Sequence, residues 1–453
     1  MTKKKTIINF KIQHALFDLG VLLFVLATLF FIFLQKSISG QVYFPYALVI
    51  LIIWLFTFYC FGGYDYNKIF KISHNFKLIS TSLFVAMLCS SIVGYYYFEQ
   101  FNLLTINGFT LVFVSVFYII RLAFTKMVST RLPKRHILIY GAGWAGKEIQ
   151  RELIENEYLK FNVIGFIEDS ENRDFSDLTK PILGNGKDIK QIIQDYSVDL
   201  VIFAITKKRG NDVFYAKSYL QEQDIDTIEM PHLYERISGR VPVMHVNNVW
   251  HDFYVSLKHK EPYWLYRLYN IALACFFTIV FLPVLPFVAL AVKLTSKGPV
   301  LYSQKRVGKK EKLFTLYKFR SMRIDAEKFG AQWATENDPR LTPIGKFLRK
   351  SRLDELPQLI NVFRGEMNFV GPRPERPEFV KDLNTEIPFY RSRHQVAPGL
   401  TGWAQVMMGY VNSVDGTLKK LQYDLYYIKN RNVFLDLLIL IKTVHVVITR
   451  RGT

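Results

Sequence analysis

The sequence has few cysteines, and none of them lies in a pattern that carries chemistry. Among its 453 residues only three are cysteine, namely Cys60, Cys89 and Cys275. All three lie in apolar segments, without a Cys-x-x-Cys pair or a Cys/His spacing typical of metal ligands. Neither a disulfide framework nor a zinc site is therefore supported. This cysteine usage favours soluble parts that face a reducing cytosol.

Acidic residues are also scarce relative to basic ones. The chain holds 58 Lys and Arg against 38 Asp and Glu, which gives a net charge of +20. Residues 293–376 contribute half of that excess, because they hold 19 basic and 9 acidic residues, a difference of 10. Such a charge favours anionic partners, whether phosphorylated metabolites, acidic lipid headgroups or nucleic acid. Charge alone does not choose among these three.

Apolar sequence, in contrast, is abundant near the N-terminus. Four hydrophobic segments, near 14–35, 44–61, 78–98 and 103–124, are each close to the ~20 residues that cross a bilayer. We predict that they form the transmembrane helices of a domain over residues 1–130. A cleaved signal peptide is disfavoured, because the first run is long and no clear small-residue cleavage site follows it. Basic loops place the N-terminus and everything after the fourth segment in the cytosol.

Residues 134–248 carry the pattern of a Rossmann-like α/β domain. The apolar strand of "RHILIYGAGWAGKEIQREL" leads into Gly141-x-Gly143-x-x-Gly146 and an amphipathic helix. These glycines permit a tight turn and the approach of a phosphate to the helix N-terminus, and Glu168 follows a second strand where a ribose-binding acid belongs. We expect a nucleotide ligand, although a domain that binds nothing remains an alternative. Hydride chemistry is disfavoured, because the domain contains no Tyr-x-x-x-Lys pair.

A fifth apolar stretch, over residues 258–295, is interrupted by Pro283 and Pro286. Proline inside a helix removes a backbone donor and bends the helix. Basic residues flank the stretch on both sides, so both ends are expected in the cytosol. A helix that enters the membrane, bends and returns satisfies this requirement, whereas a full span does not. We therefore predict a re-entrant membrane helix-hairpin, followed by a further domain over residues 296–453.

Two adjacent acids interrupt the most basic part of the chain, in "RLDELPQLINVFRGEMNFVGPRP". Asp354 resembles a helix N-cap, with Pro357 in the first turn and Gly365 as the end of a short helix. In one interpretation Asp354 is a cap and nothing more. In the other, the helix terminus and nearby cations favour its ionised carboxylate, which can attack a phosphoryl centre beside a divalent cation. Mg²⁺ is the metal that suits diphosphate oxygens.

The two remaining groups of this segment fit the second interpretation. Glu355 lies about 100° around a helix from Asp354, so the two need not share a proton, and Glu355 can act as a base or position water and metal. Arg373 lies between two prolines and presents a rigid guanidinium for phosphate oxygens.

Long ordered segments of the C-terminal part resemble a known family. They are "SKGPVLYSQKRVG", "LYKFRSM", "DPRLTPIGKFLRKSRLDELPQLINVFRGEMNFVGPRPERPEF", "RHQVAPGLTGWAQV" and "YDLYYIKNRNVFLDLLILIKT". From about residue 258 to 453 the sequence resembles the catalytic module of bacterial polyprenyl-phosphate phosphoglycosyltransferases, which begin capsule, O-antigen and exopolysaccharide synthesis. The four predicted spans and the Rossmann-like domain resemble the large members of this family, so the resemblance covers essentially the whole chain.

The resemblance implies a catalytic role for Asp354 and Glu355. The aspartate would take the sugar phosphate from a UDP-sugar as a covalent intermediate, release UMP, and pass the sugar phosphate to undecaprenyl phosphate. Mg²⁺ would contact Asp354. By motif position, the implied substrate-binding residues are Lys318, Arg320, Arg373, Arg393, His394 and Asp436.

The expected architecture is a membrane α-helical bundle, an α/β Rossmann-like domain and a mainly α-helical monotopic catalytic domain with a re-entrant membrane helix. The resemblance implies the bacterial cytoplasmic membrane as the location, with several spans and a cytosolic catalytic domain. Expected partners are a UDP-sugar, with glucose or galactose favoured, undecaprenyl phosphate, the lipid bilayer and a second copy in a homodimer. Nucleic acid is not expected as a partner.

Two other classes of function remain as alternatives. A membrane-tethered NAD-dependent nucleotide-sugar oxidoreductase or dehydratase is favoured by the intact glycine motif and disfavoured by the absence of a Tyr-x-x-x-Lys pair from residues 134–248. A non-catalytic assembly scaffold that binds nucleotide would also carry the Rossmann-like domain. Substitution of Asp354 separates the transferase from both, because only the transferase depends on that carboxylate.

Overall fold

The computed structural model describes residues 16–20, 115–127, 134–156, 161–170, 178–205, 211–243, 263–326, 328, 338–408 and 413–448. Two helical pieces, residues 16–20 and 115–127, belong to the first and fourth predicted transmembrane segments. Asp18 of the first piece and Arg121 of the second are buried and form an ion pair. The rest of the predicted four-helix bundle lies outside the described residues.

A five-stranded sheet lies in the Rossmann-like domain, with the strand order β3-β2-β1-β4-β5. β1 pairs in parallel with β2, and β2 pairs in parallel with β3. All four residues of β4 and the last four of β1 are buried, as expected for strands covered on both faces. The strands are β1 Arg135–Tyr140, β2 Phe161–Ile167, β3 Ile182–Gly184, β4 Leu200–Phe203 and β5 Asp226–Glu229. The structure thus confirms mixed α/β content with a parallel sheet.

Helices connect and follow these strands. They are α1 Trp144–Glu155, α2 Ile189–Tyr196, α3 Asn211–Glu222 and α4 Met230–Ser238, with a 3-10 turn at Gly186–Asp188. Helix α4 ends at Gly239, whose φ of 66° is left-handed and therefore favours glycine.

The chain forms two compact units. The first holds residues 1–142, 150–202 and 210–227, and the second holds residues 143–149, 203–209 and 228–453. The segment from α4 to Val243, which the sequence assigns to the Rossmann-like domain, therefore lies in the second unit. There Val241 and Val243 belong to its hydrophobic core, and the Val241 amide donates to the Gln422 carbonyl over 3.1 Å.

The predicted membrane stretch is a helix that breaks at its prolines. Helix α5 spans Tyr263–Phe281 and helix α6 spans Leu285–Thr295, with a turn between them at 282–284. The break follows from Pro283 and Pro286, which donate no backbone hydrogen bond. Within the described residues one helix, Trp264–Phe281, is long and apolar enough to cross a membrane, and 17% of it is buried. The predicted helical interruption is present, and its membrane insertion remains a prediction.

The remaining elements of the second unit are mainly helical. The strands are β6 Leu301–Val307 and β7 Leu313–Phe319, which form an antiparallel hairpin, and β8 Asn368–Val370 and β9 Gly399–Thr401, which pair in parallel. The helices are α7 Pro343–Ser351, α8 Leu359–Arg364, α9 Pro377–Glu386, α10 Trp403–Met407, α11 Val414–Asn430 and α12 Val433–Ile448. Three 3-10 segments, Lys309–Glu311, Leu353–Gln358 and Tyr390–Gln395, complete the set.

Polar side chains of α5 attach this helix to the rest of the second unit. Asn270 is fully buried, and its Oδ1 accepts from the Phe369 amide over 2.8 Å. Arg267 donates to the Val362 carbonyl over 2.5 Å and to the Phe363 carbonyl, at the C-terminal end of α8. The Val362 carbonyl also accepts from the Gly365 amide over 3.0 Å. The last carbonyls of a helix lack partners within it, so a guanidinium there adds donors and a favourable positive charge.

Candidate active site

The acid pair lies where helix α7 ends and the chain turns. Arg352 ends α7 in the left-handed region, with a φ of 59°, and the 3-10 segment Leu353–Gln358 begins there. Asp354 and Glu355 lie inside that segment, and the residue at the N-cap position is Arg352. The predicted capping role of Asp354 is therefore wrong. Gly365 does end the following helix, with a φ of 79°, as predicted.

Glu355 is the anion around which the cations of the site gather. Its Oε1 lies 2.9 Å from Lys318 Nζ, 2.9 Å from Arg373 Nη2 and 3.7 Å from Arg352 Nη1. Burial opposes ionisation of Glu355, but the charges of Arg373 and Lys318 outweigh it and hold the pKa of Glu355 well below its usual range. Glu355 is therefore ionised at neutral pH and orients two residues that the sequence assigns to phosphate binding.

Asp354 has a different environment from its neighbour. It is 4% exposed, its Oδ2 lies 4.0 Å from Lys318 Nζ, and its Oδ1 is buried with no hydrogen-bond partner among the described residues. Burial raises the pKa of Asp354, while Lys318 offsets part of the rise and Glu355 adds to it. A buried carboxylate oxygen without a partner costs free energy, so such an oxygen points to a ligand. The two acids thus have different environments.

Arg320 lies beside the C-terminal end of helix α6. It is 5% exposed, and its Nη2 donates to the Ser296 carbonyl over 2.8 Å and to Ser296 Oγ over 2.7 Å. Ser296 ends helix α6, so the guanidinium caps a helix C-terminus, where a positive charge is favourable. Its Nε and Nη1 have no partner among the described residues, and these groups remain available to an anion.

Arg393 and His394 are both buried, although motif position implies that they bind substrate phosphates. Arg393 is 2% exposed and pairs with Asp424, itself 2% exposed, over 2.8 Å. Burial lowers the pKa of His394 to about 3, and neighbouring Arg393 adds to the effect, so the imidazole is neutral at physiological pH. The predicted substrate contacts of Arg393 and His394 remain predictions, and a contact by His394 would involve an uncharged imidazole.

Asp436 links the C-terminal helices α11 and α12 to helix α5. Its Oδ1 accepts from the Tyr427 hydroxyl over 2.8 Å, and its Oδ2 accepts from the Tyr266 hydroxyl of α5. Asp436 is 1% exposed. These contacts describe a buried polar junction, and the predicted substrate contact of Asp436 remains a prediction.

The glycine motif of the Rossmann-like domain forms the expected strand–turn–helix. Gly141 has a φ of 108°, Gly143 accepts the first bond of α1 from Lys147, and Gly146 lies within α1. Glu168 Oε2 accepts from the Ala142 amide over 2.9 Å. The carboxylate predicted to bind a ribose thus already holds the loop itself. The nucleotide ligand of this domain remains a prediction.

The described residues contain no group of three or more His, Cys, Asp or Glu side chains arranged to hold a metal. A hard cation that also binds substrate phosphates needs fewer protein ligands, since Mg²⁺ is commonly held by one or two carboxylates together with phosphate oxygens. The unpartnered Oδ1 of Asp354 fits that donor set. The site is therefore compatible with the predicted Mg²⁺.

Residues outside the sequence prediction complete the surroundings of the site. Glu375 contacts Lys420 and lies 4.0 Å from Arg306, and Asp424 pairs with Arg393. Glu375 directly follows the GPRP segment, so its position along the chain was a usable signal. Asp424 lies 31 residues from Arg393, and no local spacing rule predicts such a pair.

Comparison with known proteins places the chain in a family. The family described as bacterial sugar transferase matches residues 262–450, and the family described as a CoA-binding domain matches residues 59–231. A UDP-N-acetylgalactosamine-undecaprenyl-phosphate N-acetylgalactosaminephosphotransferase of Aeromonas hydrophila is 41% identical over 230 residues, which cover 50% of this chain and 53% of that protein. A UDP-glucose:undecaprenyl-phosphate glucose-1-phosphate transferase of Escherichia coli is 42% identical over 182 residues, covering 40% and 39%.

The matched region thus spans less than two thirds of either of these relatives. A longer match is to a UDP-glucose:undecaprenyl-phosphate glucose-1-phosphate transferase of Klebsiella pneumoniae, which is 31% identical over 322 residues, or 69% of this chain and 67% of that protein. Together, the match over 262–450 and the relatives at this level of identity show that the chain belongs to the bacterial sugar transferase family.

Proposed function

We propose that the chain transfers a sugar 1-phosphate from a UDP-sugar to undecaprenyl phosphate and releases UMP. The observation that carries this proposal is the asymmetry of the acid pair. Glu355 holds Lys318 and Arg373 in place, whereas Asp354 keeps a buried oxygen without a partner among the described residues. Names of relatives that pair UDP-sugars with undecaprenyl phosphate support the same reaction.

The proposed mechanism has two displacements at one phosphorus atom. In the first, a carboxylate oxygen of Asp354 attacks the phosphorus that bears the sugar, and the bond to the bridging oxygen breaks with its electron pair leaving on UMP. In the second, a phosphate oxygen of undecaprenyl phosphate attacks the same phosphorus, and the bond to Asp354 breaks. The carboxylate is regenerated and the lipid carries the sugar diphosphate. Mg²⁺, when bound, supplies charge neutralisation at the diphosphate.

The cations of the site would stabilise the charge that develops during both steps. Lys318 and Arg373 already converge on one carboxylate oxygen, so a phosphate that enters beside Glu355 meets two donors whose side chains are held in place. Arg373 retains a 33% exposed side chain, which leaves it accessible to substrate. The proton state of Asp354 matters, because only its ionised form is a nucleophile.

We further propose the membrane arrangement that this reaction requires. The exposed apolar side chains of α5 and α6 include Leu268, Ile279, Phe287 and Leu294. Insertion of the broken helix from one face would bury them in lipid and leave both ends in the cytosol. A lipid phosphate and a soluble UDP-sugar would then meet on the same side of the membrane. Several N-terminal spans, a homodimer and a cytosolic catalytic domain belong to the same proposal.

Identity of the sugar is the open variable of the proposal. We favour glucose or galactose, while the relatives are named for glucose and for N-acetylgalactosamine. The test is UMP release by the purified full chain in lipid particles with Mg²⁺ and undecaprenyl phosphate, across UDP-glucose, UDP-galactose and their acetamido counterparts. Asp354→Asn should abolish release, and Asp382→Asn, an exposed acid of α9, serves as the matched control. No release with any of these sugars, or equal release by Asp354→Asn, refutes the proposal.

A further inference from the structure

The loop that carries Arg373 is held along its backbone by an unbroken series of hydrogen bonds. Four successive carbonyls, those of residues 372, 373, 374 and 375, each accept one bond at 3.0 Å. The donors, in that order, are the Gly399 amide, Arg393 Nη2, Arg306 Nη1 and the Val307 amide. Two of the four donors are therefore guanidinium groups, those of Arg306 and Arg393. Backbone groups held in this way have little freedom to shift.

The N–H groups of Arg393 donate to acceptors of the protein itself. Its Nη1 donates to the Tyr390 hydroxyl over 2.7 Å, and its Nε and Nη2 donate to Asp424 Oδ2 over 3.2 and 2.8 Å. Nη2 also reaches the Arg373 carbonyl, and Nη1 lies 3.9 Å from Glu375. A guanidinium has five N–H donors, so four of them are used in hydrogen bonds, and the fifth, on Nη1, belongs to the group that forms an ion pair with Glu375. A substrate phosphate that reached Arg393 would have to displace Asp424, which is itself 2% exposed.

Arg306 holds the next carbonyl of the loop, that of Pro374, in the same way. Its Nη2 donates to Gln304 Oε1 over 2.6 Å while Nη1 holds the Pro374 carbonyl. Glu375 lies between both guanidinium groups, 4.0 Å from Arg306 and 3.9 Å from Arg393, and also contacts Lys420. Apart from the buried Arg393, these charges are partly buried, and removing one of them leaves its partners less well compensated.

Arg373 differs from these two arginines in what it faces. Its side chain is 33% exposed and reaches Glu355, whereas the Arg393 side chain is 2% exposed. Resting on the proposed function, we infer that Arg393 and Arg306 are positioning residues, which fix the backbone of the Arg373 loop and thereby aim the Arg373 guanidinium at the substrate phosphates. This assignment differs from the direct phosphate contact that motif position implies for Arg393. Misplacement of a positioned group by about 1 Å can cost about 100-fold in rate, so such support matters for turnover.

The direct test is a double-mutant cycle between Arg393→Lys and Arg373→Lys in the full chain. Lysine retains the charge at residue 393 but not four simultaneous bonds. We expect Arg393→Lys alone to lower kcat by about 10-fold or more with KM for the UDP-sugar changed by less than about 3-fold. In the Arg373→Lys background the same change should cost less than about 2-fold. Equal losses in both backgrounds mean that Arg393 acts independently of Arg373, and overturn the inference.

Asp424→Asn adds a test that separates direct phosphate binding by Arg393 from a positioning role, because the two roles predict different changes in KM and kcat. If Arg393 attracted phosphates by its charge, removal of its counter-ion would strengthen substrate binding and lower KM. If Arg393 is a positioning residue, the weaker Asn partner loosens it, and kcat falls without a gain in binding. Arg391→Gln is the matched control, because Arg391 is a neighbouring arginine whose side chain is 75% exposed, and it should leave kcat unchanged.

Two further measurements distinguish loss of the fold from loss of activity, and failure of this inference from failure of the proposed function. Thermal unfolding of each variant identifies those that have lost the fold, and Arg306→Lys replaces any variant at residue 393 or 424 that does not fold. Failure of the proposed function appears as absence of UMP release by the wild type. In that event the cycle is run on the dissociation constant for UMP, where coupling between residues 393 and 373 supports the inference and additive losses contradict it.

Discussion

Arg373 donates to Glu355 over 2.9 Å, although the two residues are separated by 18 positions and lie on different segments. Glu355 belongs to the 3-10 segment after α7, and Arg373 belongs to the loop after β8. The contact therefore joins the acid pair to the GPRP loop, which lie in one long segment of the sequence that resembles the sugar transferases. It also means that the site contains an anion of its own before any substrate arrives.

Glu355→Gln should destabilise the protein and increase its response to anions. Three cations converge on Oε1, and their side chains are 19%, 32% and 33% exposed, so removing their partner should cost less than the about 3–5 kcal/mol of a fully buried pair. A phosphate can replace the lost carboxylate, so UMP should raise the melting temperature of the variant more than that of the wild type. Glu378→Gln, whose side chain is 60% exposed, is the control. An unchanged melting temperature without UMP contradicts the assigned role of Glu355.

His394 should contribute no titration near neutral pH. Because burial lowers the pKa of His394 to about 3, the imidazole stays neutral between pH 5.5 and 8. The dissociation constant for UMP should therefore follow the same pH profile in the wild type and in His394→Gln, with the remaining change belonging to the phosphate itself. An inflection near pH 6.5 that is present only in the wild type would show that His394 binds phosphate as a cation.

Glu375 should make stability depend on acid pH. Burial opposes its ionisation, but Lys420 and Arg393 outweigh burial and lower the pKa of Glu375 to about 2, against an ordinary value of 4.5. A depressed folded-state pKa stabilises the protein above the unfolded-state value, and this stabilisation is lost as the pH falls from about 4.5 towards 2. The full contribution is about 3 kcal/mol. Chemical unfolding at stepwise lower pH should show this loss in the wild type and a flatter profile in Glu375→Gln, and parallel profiles contradict the assignment.

Lys429→Met should destabilise the second unit through Glu235 of helix α4. Lys429 Nζ lies 2.9 Å from both carboxylate oxygens of Glu235, whose side chain is 10% exposed. Breaking the pair leaves a buried carboxylate uncompensated, and we expect a loss of about 2 kcal/mol or more in unfolding free energy. The double variant Glu235→Gln with Lys429→Met should recover most of this loss. Equal stabilities of Lys429→Met and the double variant would show that the pair is not coupled.

Local features of this fold could be predicted from sequence because their causes are local. Pro283 and Pro286 predict the break between α5 and α6, since proline cannot donate the bonds that continue a helix. The apolar run before Gly141 predicts strand β1, and the glycines that follow it predict the tight turn into helix α1. Gly365 likewise marks the end of α8 through its left-handed backbone.

Contacts between distant residues set the limit of such prediction. The sequence predicts different roles for Asp354 and Glu355, and those roles stay predictions. It does not predict the different environments of the two acids, because these depend on Lys318 and Arg373 from other segments. Burial of Arg393 depends on Asp424, which no spacing rule links to it. Motif position therefore predicts that a basic residue lies in or near the site. Whether its side chain can contact the substrate depends on the residues with which it pairs.

The central claim is that Asp354 becomes covalently attached to the sugar phosphate. The most direct measurement is the intact mass of the full chain after incubation with a UDP-sugar and Mg²⁺, without undecaprenyl phosphate, beside the UMP released. We predict at most one UMP per chain and a matching mass increase that maps to Asp354, absent from Asp354→Asn and removed when undecaprenyl phosphate is added. UMP release only in the presence of the lipid, with no modified protein at any time, would contradict the covalent account and favour direct transfer between the two substrates.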